Sequence, residues 1–350
     1  MRRAVRPVLT VEATSTCNLL CEGCFYFHDD FEPLDEPEQV EVWRAFFQHR
    51  YDEGDRYAVF HGAEPALKQD RLLAAGELFS RGIVYTNGTI RMSPDIPFVR
   101  CVSIWGDEHS TTKIRGAGVY RKALRNFEND DKARFSVVVN AQNYRSLPQI
   151  AEDMHAAGVS ATISYFSPSF SYMEKIRAAA PNDRRFFRFS NAKDNMLLSP
   201  EEFARIRDMM DELTAKYPDT VIQGRAFNDW LTAPGGRYEL GEDGVAGMCA
   251  VRPRFGHEMY ATDLKPIREK CALADNDCTE CRVTQVATTS LLHGLKYYAS
   301  SAEDVAFWVE CALQAGRVFL RDDDTEVWGE GPPSMHDWRE HFGVLTPPPR

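Results

Sequence analysis

No stretch of this chain approaches the roughly 18 apolar residues of a membrane-spanning helix, so no membrane span is expected. Met1-Arg2-Arg3 is not followed by the apolar core of a signal peptide. A basic surplus is missing too: 41 Lys and Arg stand against 52 Asp and Glu, a net charge of −11. Phosphate binding needs a basic footprint, so no nucleic-acid partner is expected. Internal repeats and extended low-complexity tracts are absent. What remains is a chain of 350 residues, long enough for about two domains with a full core. Its nine cysteines are clustered at cluster-ligand spacing, which points to reduced cytoplasmic thiols rather than disulfides.

Cys17, Cys21 and Cys24 form a C-x3-C-x2-C array just after an apolar run, residues 7–11, that reads as a strand. Three thiolates on one short loop can hold three irons of a four-iron cluster. The fourth iron then has an open position, which is where chemistry happens on a metal centre. Spacing alone also admits a zinc knuckle, with His28 four residues beyond Cys24. Downstream, apolar strand patterns at residues 57–60, 83–85, 102–105, 134–140 and 159–166 alternate with helix patterns. The helices are expected from Asp35 as a cap through Val40, Trp43 and Phe47, at 68–80, through Val119, Leu124 and Phe127, and at 147–157. Such alternation predicts parallel βαβ units in an α/β fold, with functional groups at the C-terminal ends of the strands. A further helix over 200–217 is expected, capped by Ser199.

The cysteine spacing, placed directly after a first strand, resembles the signature of the radical S-adenosylmethionine (SAM) superfamily. That resemblance implies a partial (β/α)6 TIM-like barrel and a [4Fe–4S] cluster whose open iron chelates SAM. It also implies reductive cleavage of SAM to a 5′-deoxyadenosyl radical, with flavodoxin or ferredoxin as electron donor. The family usually has an aromatic residue before the third cysteine; here it is Gly23, so Phe25 or Tyr26 is expected to pack near the adenine. Gly62-Ala63-Glu64-Pro65 resembles the GGEP motif, whose backbone and Glu receive the SAM ammonium. Thr86-Asn87-Gly88 resembles the T-N-G motif, and Ser103 the serine that bonds the ribose. Gly106-Asp107-Glu108-His109 with Arg115-Gly116 resembles the end of that motif, although Trp105 stands where Asp is frequent. Asn140 matches a polar SAM contact at the end of the fifth strand. For Ser103 and Asn140, ordinary strand-end capping is the alternative.

Cys249, Cys271, Cys278 and Cys281 form a second constellation, with Gly256 inside an expected hairpin. Four thiolates satisfy either structural zinc or a fully ligated iron–sulfur cluster. The resemblance favours the second, an auxiliary [4Fe–4S] cluster in a twitch-like module. Cys101 and Cys311 read as core residues. The expected organisation is a radical SAM core over 1–190, a connecting helical segment over 191–247, the auxiliary module over 248–318 and a tail over 319–350. Residues 167–199 break the pattern with Arg184-Arg185-Phe186-Phe187-Arg188, either a substrate-facing segment or a docking surface.

Within the superfamily, the C-N-L-x-C-x-G-C form and Ile163-Ser164-Tyr165 resemble the hopanoid-adenosylating enzymes, adenosylhopane synthase and its relatives. The expected activity is modification of a small-molecule substrate by hydrogen abstraction or radical addition. A cysteine loop starting at residue 17, a short auxiliary module and a compact chain favour that over a peptide-modifying maturase. An iron–sulfur or zinc scaffold without catalysis is the third reading.

Overall fold

The computed structural model describes residues 8–24, 26–27, 34–178, 189–252, 258–267, 271, 276–294 and 300–320. Phe25, His28, the 184–188 segment, Gly256 and most of the tail lie outside these residues. The strands are β1 (Val8–Thr14), β2 (Tyr57–Gly62), β3 (Gly82–Thr86), β4 (Val99–Ile104), β5 (Ala133–Val139), β6 (Ser160–Tyr165) and the short β7 (Met259–Tyr260). The helices are α1 (Val40–Asp52), α2 (Gln69–Gly76), α3 (Glu108–Arg115), α4 (Val119–Phe127), α5 (Leu147–Ala156), α6 (Phe170–Arg177), α7 (Pro200–Lys216), α8 (Arg225–Thr232), α9 (Thr284–His293) and α10 (Ala302–Phe319). Among the described residues, no helix is long and apolar enough to cross a membrane.

Among the described residues, seven strands run parallel in one sheet of order β6-β5-β4-β3-β2-β1-β7. The first six are therefore neighbours in chain order, as consecutive βαβ crossovers require. Side chains alternate across each strand, so one face of the sheet carries Leu9, Val11, Phe60, Val84, Val102, Phe135, Val137 and Ile163. These pack with Trp43 and Phe47 of α1, Phe127 of α4 and Ile150 and Met154 of α5. Removing a ring such as Phe47 from this layer would cost about 3–5 kcal/mol.

The opposite face is far more polar: it carries Glu12, His61, Tyr85, Cys101, Ser103, Ser136 and Ser164. α9 and α10 cover part of it. Gln285 donates to Ser136 Oγ at 3.0 Å, and Tyr57 Oη donates to the Phe319 carbonyl at 2.7 Å. Residues beyond 248 thus join the main sheet through β7 and its polar face through α9.

Two helix starts contrast. α7 begins with a full capping box: Ser199 Oγ accepts the Glu202 N–H at 3.2 Å, and Glu202 accepts the Ser199 N–H at 3.0 Å. α1, expected to start from Asp35, instead has Gln39 as an N-cap without a side-chain bond. The preceding segment is used to tie the sheet. Glu36 accepts from Thr14 and Arg71, and the Pro37 carbonyl accepts from Trp43 and Arg71. Those long-range bonds hold residues 34–39 out of the helix.

Candidate active site

The cysteine loop leaves β1 at Thr14, whose hydroxyl accepts the Thr16 N–H at 3.1 Å. Its three thiols are free and partly buried. Sulfur-directed donors converge on them, including the Tyr26 and Phe27 backbone at Cys24. The Leu19 N–H lies 3.4 Å and Asn87 Nδ2 3.9 Å from Cys17 Sγ, while Arg115 Nε lies 3.4 Å from Cys21 Sγ. Burial pushes the Cys24 thiol up to about 12 and Cys17 up as well, with the neighbouring Cys21 adding to both. Burial-raised thiols such as Cys17 and Cys24 keep their protons until a cation draws them off, which is the chemistry of a metal–thiolate ligand.

Gly23 adopts a left-handed φ of +59°, and a Cβ there would lie 2.7 Å from Met196 Cε and 3.3 Å from Tyr172. Those two side chains fill the space beside the third cysteine, which is why no aromatic residue stands at 23. Tyr26 does not stay at the loop surface. Its hydroxyl donates to Glu12 Oε2 at 3.2 Å, toward the polar face of the sheet.

The loops after β2 and β3 close around this array. Gly62 has a φ of +109°, and a Cβ would come 2.7 Å from the Thr14 carbonyl. That close approach lets the Ala63 N–H donate to Thr14 at 3.0 Å and the Glu64 N–H donate to Thr16 at 3.1 Å. Glu64 is fully buried. Its Oε1 accepts from Thr86 Oγ1 at 2.6 Å and the Ala66 N–H at 3.0 Å, and its Oε2 accepts the Asn87 N–H at 2.6 Å. Burial raises its carboxyl above the usual range, and those three bonds pull the other way. Asn87 also donates to Asn18 at 2.8 Å, joining the third-strand turn to the cysteine loop.

Arg115 is buried and donates to the Ser103 carbonyl as well as facing Cys21, so these three are brought together. Asp107 is the N-cap of α3, accepting the Ser110 N–H at 2.9 Å. Asn140 folds into its own turn, its Oδ1 accepting the Gln142 N–H at 2.9 Å, while its Nδ2 is buried without a partner. Two residues of the site carried no motif. Glu22, fully buried between Cys21 and Gly23, accepts the Ser190 N–H at 3.1 Å and so clamps the 189–197 segment over the loop. His61, opposite Glu12 in the β1–β2 register, has an Nε2 shut from solvent with no hydrogen-bond partner. Burial holds its imidazole down to about 4, so it is neutral at pH 7.

The second set, Cys249, Cys271, Cys278 and Cys281, lines one cavity with Tyr238, Arg252 and Asn276. Burial pushes Cys281 up to about 12, and the other three thiols add to it. Among the described residues no three His, Cys, Asp or Glu side chains converge as one metal ion requires. A four-iron cluster spreads its ligands over four metal atoms, whereas zinc–thiolate bonds near 2.3 Å would draw sulfurs to within about 4 Å of each other. Cys101 and Cys311 are buried in the hydrophobic clusters, as core residues.

No family model and no curated protein matches the sequence. Solved structures do resemble it in fold. SuiB from Streptococcus suis, bound to S-adenosylmethionine, aligns with a TM-score of 0.51 and 12% identity over 74% of this chain. The chain spans 59% of the length of SuiB. Native anSMEcpe with bound AdoMet aligns with a TM-score of 0.52 and 12% identity, covering 96% of this chain and 95% of that one. Native anSMEcpe with AdoMet and the Cp18Cys peptide aligns at 0.50 and 14% identity, covering 96% of each chain. At these identities the likeness is one of fold: the parallel α/β architecture is shared with proteins solved with SAM bound.

Proposed function

We propose that this chain is a radical SAM enzyme, in which Cys17, Cys21 and Cys24 hold a [4Fe–4S] cluster and the loops after β2 to β5 hold SAM. The observation that carries this reading is that Asn87 reaches Cys17 and Arg115 reaches Cys21 on the three-cysteine loop at the C-terminal ends of the strands. When bound, the cluster would supply the electron that breaks the SAM sulfonium bond and frees the 5′-deoxyadenosyl radical. Asn87 and Arg115 supply donors to sulfur, one of the levers by which a protein sets the potential of an iron–sulfur site. Gly62 permits the close backbone approach that a charged ligand needs. Glu64 fixes the Thr86–Asn87 turn, and its Oε2, with one donor, keeps acceptor capacity for the SAM ammonium. Ser103 and Arg115 on one side and Asn140 on the other flank the same strand ends. Trp105 and Phe166 pack edge-on nearby and keep water from that side.

Six consecutive parallel strands support reading residues 1–190 as a partial (β/α)6 barrel. The four-thiol cavity supports a twitch-like module over 248–318 with an auxiliary [4Fe–4S] cluster. Flavodoxin or ferredoxin is the electron donor in this scheme. For the substrate, the anSMEcpe complex with a peptide favours a peptide, because a chain of the same extent and fold accommodates one there. Compactness therefore does not argue for a small molecule. The small-molecule reading keeps only the motif likeness to hopanoid-adenosylating enzymes.

The test replaces Cys17, Cys21 and Cys24 together by Ala and follows 5′-deoxyadenosine formed from SAM and dithionite without oxygen. Cleavage should vanish while the far-ultraviolet circular dichroism spectrum is kept; undiminished cleavage would overturn the assignment. Incubation of the active protein with peptides encoded beside its gene should give a peptide mass change, and its absence returns the small-molecule reading.

A further inference from the structure

One short strap, residues 189–196, joins the cysteine loop to the turn that follows β5. At the loop it hangs from Glu22, which sits between Cys21 and Gly23 and is fully buried. Glu22 Oε1 accepts the Ser190 N–H at 3.1 Å, and Oε2 accepts the Phe189 N–H at 3.4 Å. Bonds from N–H groups to a carboxylate are charge-assisted and stronger than those between neutral groups. The Glu22 N–H donates to the Ile114 carbonyl at 2.8 Å, which pins the loop to the end of α3 as well. Tyr172 reinforces this attachment: its hydroxyl bonds Ser190 Oγ at 2.9 Å and accepts the Met196 N–H at 3.0 Å.

The other end of the strap meets the turn after β5. The Met196 carbonyl accepts the Ala141 N–H at 3.3 Å. Gln142 Nε2 donates to Asp194 Oδ1 and to the Asn195 carbonyl, each at 2.8 Å. This is the turn that Asn140 opens, and the Asn140 side chain, fully buried, has an Nδ2 without a partner among the described residues. Between its two ends the strap is closed on itself. The Asn191 N–H donates to the Asp194 carbonyl at 2.7 Å, and its Oδ1 accepts the Lys193 and Asp194 N–H groups. Lys113 reaches both attachments, with Nζ 4.2 Å from the centre of the Phe189 ring and 2.7 Å from Gln142 Oε1.

We infer that Glu22 is a positioning residue for SAM: through the strap it fixes the cysteine loop relative to the Asn140 turn, so that SAM meets two surfaces already set at their bound spacing. The inference rests on the radical SAM reading above, in which SAM lies between those surfaces. Each backbone residue left to be ordered on binding weakens affinity by roughly tenfold, so a tie between the two surfaces acts on SAM directly. A strap that only braced the fold would change stability and leave affinity in the folded protein unchanged.

The experiment uses the full-length protein reconstituted with iron and sulfide, with no reductant, so that SAM binds without being cleaved. Affinity is read by anaerobic equilibrium dialysis. Glu22→Ala, which removes both acceptors, and Gln142→Ala, which removes the far attachment, should each keep the iron and weaken SAM about tenfold. With dithionite and saturating SAM, 5′-deoxyadenosine formation should stay within about twofold of the parent, the split expected when binding alone is lost. The two side chains hold opposite ends of one strap, so the double variant should lose about tenfold and not the roughly hundredfold of independent sites. A hundredfold loss, or an unchanged affinity in either single variant, overturns the inference. Should Glu22→Ala fail to fold, Gln142→Ala on its partly exposed turn decides: weakened SAM supports the tie and unchanged SAM refutes it. A parent that takes up iron and binds no SAM refutes the radical SAM reading itself, a distinct result that removes this inference with it.

Discussion

Replacing Glu64 by Gln separates two roles that one carboxylate could play. Its Oε1 takes two donors, Thr86 Oγ1 and the Ala66 N–H, and its Oε2 takes one, the Asn87 N–H at 2.6 Å. A glutamine in the same place keeps its carbonyl on the two-donor side. Its amide NH2 then faces the Asn87 N–H, donor against donor, inside a fully buried pocket. An unsatisfied buried donor costs about 1–3 kcal/mol. The loss of a desolvated charge offsets part of this, since burial already works against the ionised form. The expected net destabilisation is therefore about 1–2 kcal/mol in protein without cluster or SAM. The assay is urea unfolding of the apo protein, followed by circular dichroism, with an unchanged slope and a lower midpoint. In reconstituted protein, SAM affinity by anaerobic equilibrium dialysis should fall as well, because the Asn87 turn no longer sits against Cys17. An apo midpoint equal to that of the parent, with SAM binding alone weakened, would refute the bracing role and leave only a ligand contact.

His61→Asn should remove an acid sensitivity. The imidazole is held down to about 4 in the folded state against about 6.5 unfolded, so its contribution is complete above pH 6.5 and is lost as pH falls toward 4. Parent stability should therefore fall by at most about 3 kcal/mol more than that of the variant between pH 7 and 4; a constant difference in urea midpoints across that range counts against the buried neutral histidine. Gly23→Phe restores the aromatic residue usual in the resembled family, yet it should impair rather than improve the protein. At a φ of +59° and with Met196 at 2.7 Å, the variant should lose at least about 1–2 kcal/mol and bind less iron on reconstitution; full iron loading would show that the space can open.

Some of this protein is written locally and was legible in the residues alone. The short apolar runs at 57–60, 83–85 and 137–139 mark strands, because a brief continuous apolar stretch suits a parallel sheet covered on both faces. Ser199 and Glu202 specify a helix start within four residues, and the spacing of Cys17, Cys21 and Cys24 puts three thiols on one short loop. Asp35 misled because its neighbours Glu36 and Pro37 are spent on Thr14, Trp43 and Arg71, contacts that no local pattern contains. The same holds for the site. Arg115 reaches Cys21 from 94 positions away, and Glu22 holds Ser190 across 168. His61 faces Glu12 only because β1 and β2 pair in one register. Spacing along the chain determined which groups could bind metal. Strand register and loop closure decided which charges and donors surround them, since those depend on contacts between residues distant in sequence.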